Sequence, residues 1–203
     1  MQFLKDVIKN TIEPLMRIIL LFIIYVLITT LSTEEINIYA YYVAISSIFY
    51  IVLNLYFSKL WKEIINDPSI IFPIHLTLFI ISTPLGILVG LMFPKYFLEV
   101  FVSFVSWGIF VGSGAFYILN HPKRLILTII PSIVRTLILL TLFYLGMFNL
   151  KILTFSNIIQ LLIYLFLLLR SGIEIKFNLI FPKLDLKNIE LSLENILITL
   201  RNN

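Results

Sequence analysis

Cysteine is absent from the chain, which excludes structural disulfides and thiolate metal sites. Charge is scarce: Asp, Glu, Lys and Arg together make up 13% of residues, about half the share of an ordinary soluble domain. Glycine is scarce too, with 7 in the chain, so the elements are bulky rather than finely packed around a pore. His75 and His121 are the only histidines, and no cluster of His, Asp or Glu has metal-ligand spacing. No metal or cofactor is expected. A small-residue cleavage pattern is missing from the first apolar run, so that run reads as a retained span rather than a removed signal.

What is present in abundance is apolar surface. Sixty per cent of residues are hydrophobic and the mean hydropathy is +1.05. Six stretches stand out, at about 15–31, 38–57, 71–93, 97–119, 125–148 and 152–169. A span needs roughly 20 mainly apolar residues, and lipid favours helices because each backbone group must be satisfied internally. The expectation is an all-α integral membrane protein with six transmembrane helices in one bundle over residues 1–170. Short connections separate them: "STEEIN", "SKLWKEIINDPS", "PKY", "NHPKR" and "NLK". Residues 171–203 read as a cytoplasmic linker followed by an amphipathic or truncated helix, with apolar positions 186, 189, 193, 196, 197 and 200 at helical spacing.

Lysine and arginine set the expected orientation. Of the 15 such residues, Lys95 and Lys151 fall on one side, Arg135 lies inside a span, and the remaining twelve fall on the other. The basic side is read as cytoplasmic, with both termini there and the protein multi-pass in a cell membrane. Spread over successive loops, these cations suit anionic lipid headgroups. They do not form the basic groove with stacking aromatics that nucleic acid requires.

Arg135 is the foremost candidate for function. It follows Arg124 by roughly 15 Å of helix, near mid-bilayer, where an ionised guanidinium costs upward of about 2.5 kcal/mol. Two readings fit. In one it faces a hydrated cavity that admits an anion, with Pro131 bending the helix to open that space; in the other it snorkels to the surface or bonds neighbouring carbonyls. Tyr42, Ser46, Tyr50 and Asn54 recur at i,i+4 and share one helix face, suited equally to a wet cavity and to interhelical hydrogen bonds. Arg17, at the inner mouth of the first span, either joins the cavity or pairs with Glu13. "GILVG" (Gly86, Gly90) and "GIFVG" (Gly108, Gly112) are G-x-x-x-G patterns that let helices approach closely, and Pro84 is a further bending position. His75 is read as an intramembrane hydrogen-bonding residue in preference to a proton site. "VGSGAF" holds Ser113, but no base lies within reach for a protease, and no enzymatic role is expected.

The stretch "TTLSTEEINIYAYYVAISSIFYIVLNLYFSKLW", residues 29–61, resembles the first loop and second helix of the polysaccharide flippases. These include the O-antigen repeat-unit transporters of the multidrug/oligosaccharidyl-lipid/polysaccharide superfamily. Leu31, Glu34, Glu35, Tyr39 and Ala40 carry the likeness, with Asn37 in the place of the usual glycine. "GAFYILNHPKR" and "LFYLGMFNLKILTF" are similar to that family's fourth helix, basic inner loop and fifth helix. The resemblance spans about 15–172, one six-helix lobe of proteins that usually have two. It implies translocation of a lipid-linked oligosaccharide on an undecaprenyl-type carrier for cell-surface polysaccharide synthesis. A homodimer, a separate second half or a longer parent chain would supply the missing lobe. Two alternatives remain at this stage. One is a non-transporting membrane interaction protein or inactive flippase fragment. The other is a drug or ion-coupled exporter, for which a well-buried coupling acid is lacking.

Overall fold

A computed structural model describes residues 2–111 and 124–181, and among these the protein is all-helical, without a β-strand. Six α-helices follow in order: α1 (Gln2–Ile28), α2 (Thr33–Asn66), α3 (Ile71–Leu91), α4 (Phe97–Val111), α5 (Arg124–Tyr144) and α6 (Leu150–Leu169). Single 3₁₀ turns at Pro68–Ile70 and Pro94–Tyr96 lead into α3 and α4.

Local chemistry explains the boundaries. Ser32 caps α2: its hydroxyl accepts from the Glu35 N–H while the Glu35 carboxylate accepts from the Ser32 N–H, a reciprocal capping box. "STEEIN" is therefore mostly the first turn of α2 rather than a connecting loop. The predicted loop "SKLWKEIINDPS" is likewise corrected, since α2 continues to Asn66. Its charges suggested a connection, but no glycine or proline interrupts the run before Pro68. Asp67 caps the turn that follows, accepting from the Ser69 N–H at 3.0 Å. Gly146 ends α5 at φ +70°, where its N–H bonds the Phe143 carbonyl and the Met147 N–H bonds the Leu142 carbonyl, both at 2.9 Å. This double bond pattern closes a helix around a left-handed residue. Asn149 then caps α6 through the Ile152 N–H.

Among the described residues, three helical segments are long and apolar enough to cross a membrane: Pro68–Leu91, Ile126–Tyr144 and Leu150–Leu169, with Pro14–Ile28 a shorter apolar helix. Large apolar side chains face outward along them and along α1, including Ile18, Phe22, Leu88, Leu91, Leu162 and Phe166. A water-soluble monomer rarely exposes so continuous a belt. The chain is a membrane protein of helical class.

Helix α3 packs against α4, α5 against α6, α4 against α6, and α1 against α5. The α3–α4 contact is close because glycines sit in it. A Cβ on Gly90 would come within 2.9 Å of the Phe97 ring, one on Gly86 within 3.2 Å of Phe101, and one on Gly108 would overlap Ser82. Gly112 lies outside the described residues. Pro84 is inside α3 and exposed. Two apolar cores result. One gathers Ile64, Ile71, Leu78, Leu127 and Leu168; the other gathers Leu27, Val100, Phe104, Leu139 and Leu153.

At the α2 and α6 starts, one carboxylate joins two helices. Glu35 accepts from the Leu150 N–H at 3.0 Å as well as from Ser32. Partial burial works to raise its pKa, but the Leu150 and Ser32 hydrogen bonds outweigh that and hold it below 4.5. Beside it, Lys95 donates to Glu34 at 2.7 Å and holds that carboxyl below its usual range too. After α6 the chain runs without regular secondary structure through 173–181 beside α3 and the turn before it: Lys176 pairs with Asp67, Phe177 meets Phe72 edge-to-face, and the Ile180 N–H donates to Thr77 Oγ1. The rest of the expected tail, 182–203, lies outside the described residues.

Candidate functional site

The polar residues of α5 and α6 lie on faces set by helical spacing. Thr128, Ser132 and Thr136 follow at i,i+4 on α5, as do Ser156, Gln160 and Tyr164 on α6. Where these faces meet α1, a cavity of about 290 Å³ opens, large enough for several water molecules or a phosphate group. Arg17, Ser132, Arg135, Asn157, Gln160 and Tyr164 supply its polar lining, and Leu20, Leu21, Ile24 and Leu127 an apolar wall. Pro131 also borders it. Because proline has no N–H, the α5 backbone there lacks one helical donor next to the opening.

Arg135 is held in place from α6. Its Nε donates to Ser156 Oγ at 3.0 Å and one terminal nitrogen donates to Gln160 Oε1 at 3.3 Å. Gln160 is fixed in turn, its amide donating to Ser132 Oγ at 3.0 Å. Ser156 donates to the Leu153 carbonyl at 2.6 Å and Ser132 to the Thr128 carbonyl at 3.2 Å. Both acceptors of Arg135 are neutral, and no carboxylate among the described residues pairs with it. No hydrogen bond among the described residues takes up its other terminal nitrogen, and the residue lines the cavity. A half-buried cation satisfied only by neutral groups is costly, and a bound anion would relieve that cost through short, charge-assisted hydrogen bonds. Arg17 of α1 lines the same space, and two arginines on one cavity favour an anion over a cation there.

Behind this cavity, Tyr164 meets His75 of α3. The His75 Nε2 lies 2.8 Å from the Tyr164 hydroxyl and its Nδ1 lies 2.7 Å from the Ile71 carbonyl. Both side chains are buried.

The described part of the α2 stripe is enclosed by neighbouring helices. Tyr42 and Ser46 are 1% exposed, and neither lines the cavity. Tyr42 lies within hydrogen-bond reach of Ser103 on α4 and Thr154 on α6, and its ring packs edge-to-face on Tyr39 at 5.2 Å. The Tyr50 and Asn54 side chains lie outside the described residues. The structure thus brings Arg135 and Arg17 to one cavity, and Tyr42, which does not line that cavity, lies near enough to Arg135 to interact with it electrostatically. Ser132, Asn157 and Gln160 were not among the sequence candidates. For Ser132 and Gln160 the signal was the i,i+4 repetition of polar residues within two strongly apolar runs; Asn157, with Leu153 and Leu161 at that spacing, had none.

No known protein family, curated protein or solved structure matches the chain.

Proposed function

We propose that this chain is one six-span lobe of a flippase-like membrane transporter that holds the phosphate-bearing head of a lipid-linked oligosaccharide. A second lobe or a second copy completes the transport path. The observation that carries this reading is the convergence of Arg17 and Arg135 on one polar cavity with an apolar flank. Guanidinium groups match phosphate oxygens, Ser132, Asn157 and Gln160 offer hydrogen bonds to phosphate or sugar, and the Leu20, Leu21 and Ile24 wall suits an acyl or polyprenyl tail. The Lys and Arg distribution supports a cell-membrane location with both termini cytoplasmic. The likeness of 29–61 to the flippase second helix points the same way, toward cell-surface polysaccharide synthesis.

One observation favours a different reading. Tyr42 and Ser46 are enclosed between helices, as a non-transporting interaction protein would use them. Reconstitution separates the two. Vesicles holding the chain, with and without a candidate second lobe, are assayed for movement of a lipid-linked pyrophosphoryl sugar. Transport that falls at least tenfold in Arg135→Ala supports the proposal, and transport indifferent to that change refutes the anion-holding role.

A further inference from the structure

We infer that Asn157 makes the cavity selective for a phosphate ester with a hydroxyl on the neighbouring carbon, as in a sugar phosphate. The inference rests on the anion-binding reading of that cavity and names the class of ligand it takes. Asn157 is 4% exposed and lines the cavity. Its side-chain amide nevertheless holds no hydrogen bond among the described residues. Buried polar side chains nearly always have a partner, so an idle amide at an opening marks a place kept for a ligand.

The hydrogen-bond directions around it define what that ligand must offer. Arg135 donates to the Gln160 carbonyl, the Gln160 amide donates to Ser132, and Ser132 donates to the Thr128 carbonyl. Ser156 accepts from Arg135 and donates to the Leu153 carbonyl. The side-chain oxygens of Gln160, Ser132 and Ser156 are thus engaged already. What this network leaves over is donors: the other terminal nitrogen of Arg135 and the second hydrogen of the Gln160 amide. Asn157 adds an unoccupied acceptor, with two donors on the adjacent nitrogen. It precedes Gln160 by three residues and shares its face of α6, about 5–6 Å away between β-carbons. Arg17, Thr128 and Tyr164 also line the cavity and have further interactions of their own.

A phosphodiester without hydroxyls offers acceptors only and would leave the Asn157 oxygen buried without a donor. A hydroxyl one carbon from the phosphate satisfies both ends of the amide. The phosphate oxygen accepts from the amide nitrogen while the hydroxyl donates to the amide oxygen, and either rotation of the amide presents that pair. A site built to hold a hydroxyl rejects the analogue lacking it, because its own polar group is then left unpaired. Sugar phosphates and the glycerol phosphate headgroup of a phospholipid both carry this arrangement.

The test measures calorimetric binding to the full chain in zwitterionic nanodiscs, with singly charged phosphodiesters as probes. Dibutyl phosphate has no hydroxyl, and butyl glucosyl phosphate has the neighbouring one. Butyl 2-deoxyglucosyl phosphate lacks that hydroxyl alone, and butyl glyceryl phosphate reproduces the lipid headgroup. The glucosyl ester is expected to bind about tenfold more tightly than its 2-deoxy form, as one hydrogen bond provides. In Asn157→Leu the two should bind equally. Circular dichroism establishes that the variant is folded, and Asn157→Ala takes its place otherwise. A merely structural role for Asn157 would weaken both esters together and keep their ratio, which overturns the assignment. Equal binding of the two by the unsubstituted chain overturns the inference alone, with the cavity reading intact. Preference for the glucosyl over the glyceryl ester identifies a sugar phosphate, and the reverse a lipid headgroup; either supports a hydroxyl-selective site. Failure of every ester to bind, or binding that Arg135→Gln leaves unchanged, overturns the cavity reading and the inference with it.

Discussion

Replacing Gly108 by alanine tests how closely α3 and α4 are apposed. A Cβ built on Gly108 overlaps the Ser82 hydroxyl and lies 2.6 Å from the Ser82 Cβ. Turning the serine side chain removes the first clash but not the second, because a Cβ moves only with its backbone. The helices must therefore part. Overpacking of this kind costs about 1–3 kcal/mol, and the better helix propensity of alanine returns about 0.8–1 kcal/mol. Gly108→Ala alone is thus expected to lose between nothing and about 2 kcal/mol, which is a weak criterion by itself. The double-mutant cycle is sharper. Ser82→Gly removes both clashing atoms and also a buried hydroxyl that has no hydrogen-bond partner among the described residues. In that background Gly108→Ala should become neutral or stabilising, giving a coupling of about 1–3 kcal/mol. Unfolding of the four proteins in mixed detergent micelles, followed by circular dichroism, measures it. Additive single and double changes, within about 0.5 kcal/mol, would refute the close approach.

Further expectations follow from other contacts. Gly146→Ala places a side chain at φ +70° and should lower stability by about 1–2 kcal/mol in the same detergent assay, with Gly146→Asn closer to the parent. Glu35→Gln weakens acceptance from Leu150 and Ser32 and should cost on the order of 1 kcal/mol. Because the Glu35 pKa is lowered on folding, its contribution is fully present above about pH 4.5 and is lost as pH falls through the folded value. An acid titration of stability should therefore be flatter for Glu35→Gln than for the parent below that pH. Lys95→Ala breaks an exposed pair and should leave the unfolding midpoint unchanged, since such pairs contribute little. Gln160→Leu removes the amide that supports Arg135. It should weaken dibutyl phosphate binding less than Arg135→Gln does, and a larger loss than that would show Gln160 to be the principal ligand.

Hydropathy made the helical class and the membrane character legible, because runs such as 71–93 and 152–169 leave few alternatives. It misplaced the end of α2. Lys59, Lys62 and Glu63 looked like a connection, yet charge does not break a helix, and the first true breaker is Pro68. The start of α2 was missed for a related reason: Ser32 and Glu35 have the spacing of a capping box but were read only as polar and acidic loop residues. Arg135 was conspicuous because one cation stands out in an apolar run. Ser156, Asn157 and Gln160 did not, being uncharged and scattered through a sixth stretch otherwise rich in Leu and Ile. The Tyr42 and Ser46 face was visible from periodicity, but periodicity names a face and not what that face meets. Only the packing of α4 and α6 against α2 decides that Tyr42 faces Ser103 and Thr154 rather than open space.

Glu35 binds the beginnings of α2 and α6 through one carboxylate, which accepts from the Ser32 and Leu150 N–H groups. Those two helices consequently share a pivot at that end, and neither can tilt there without breaking the other's first turn. Because the pivot loses its grip in acid, low pH should loosen the end of the bundle remote from Arg17 and leave the opposite mouth as it was.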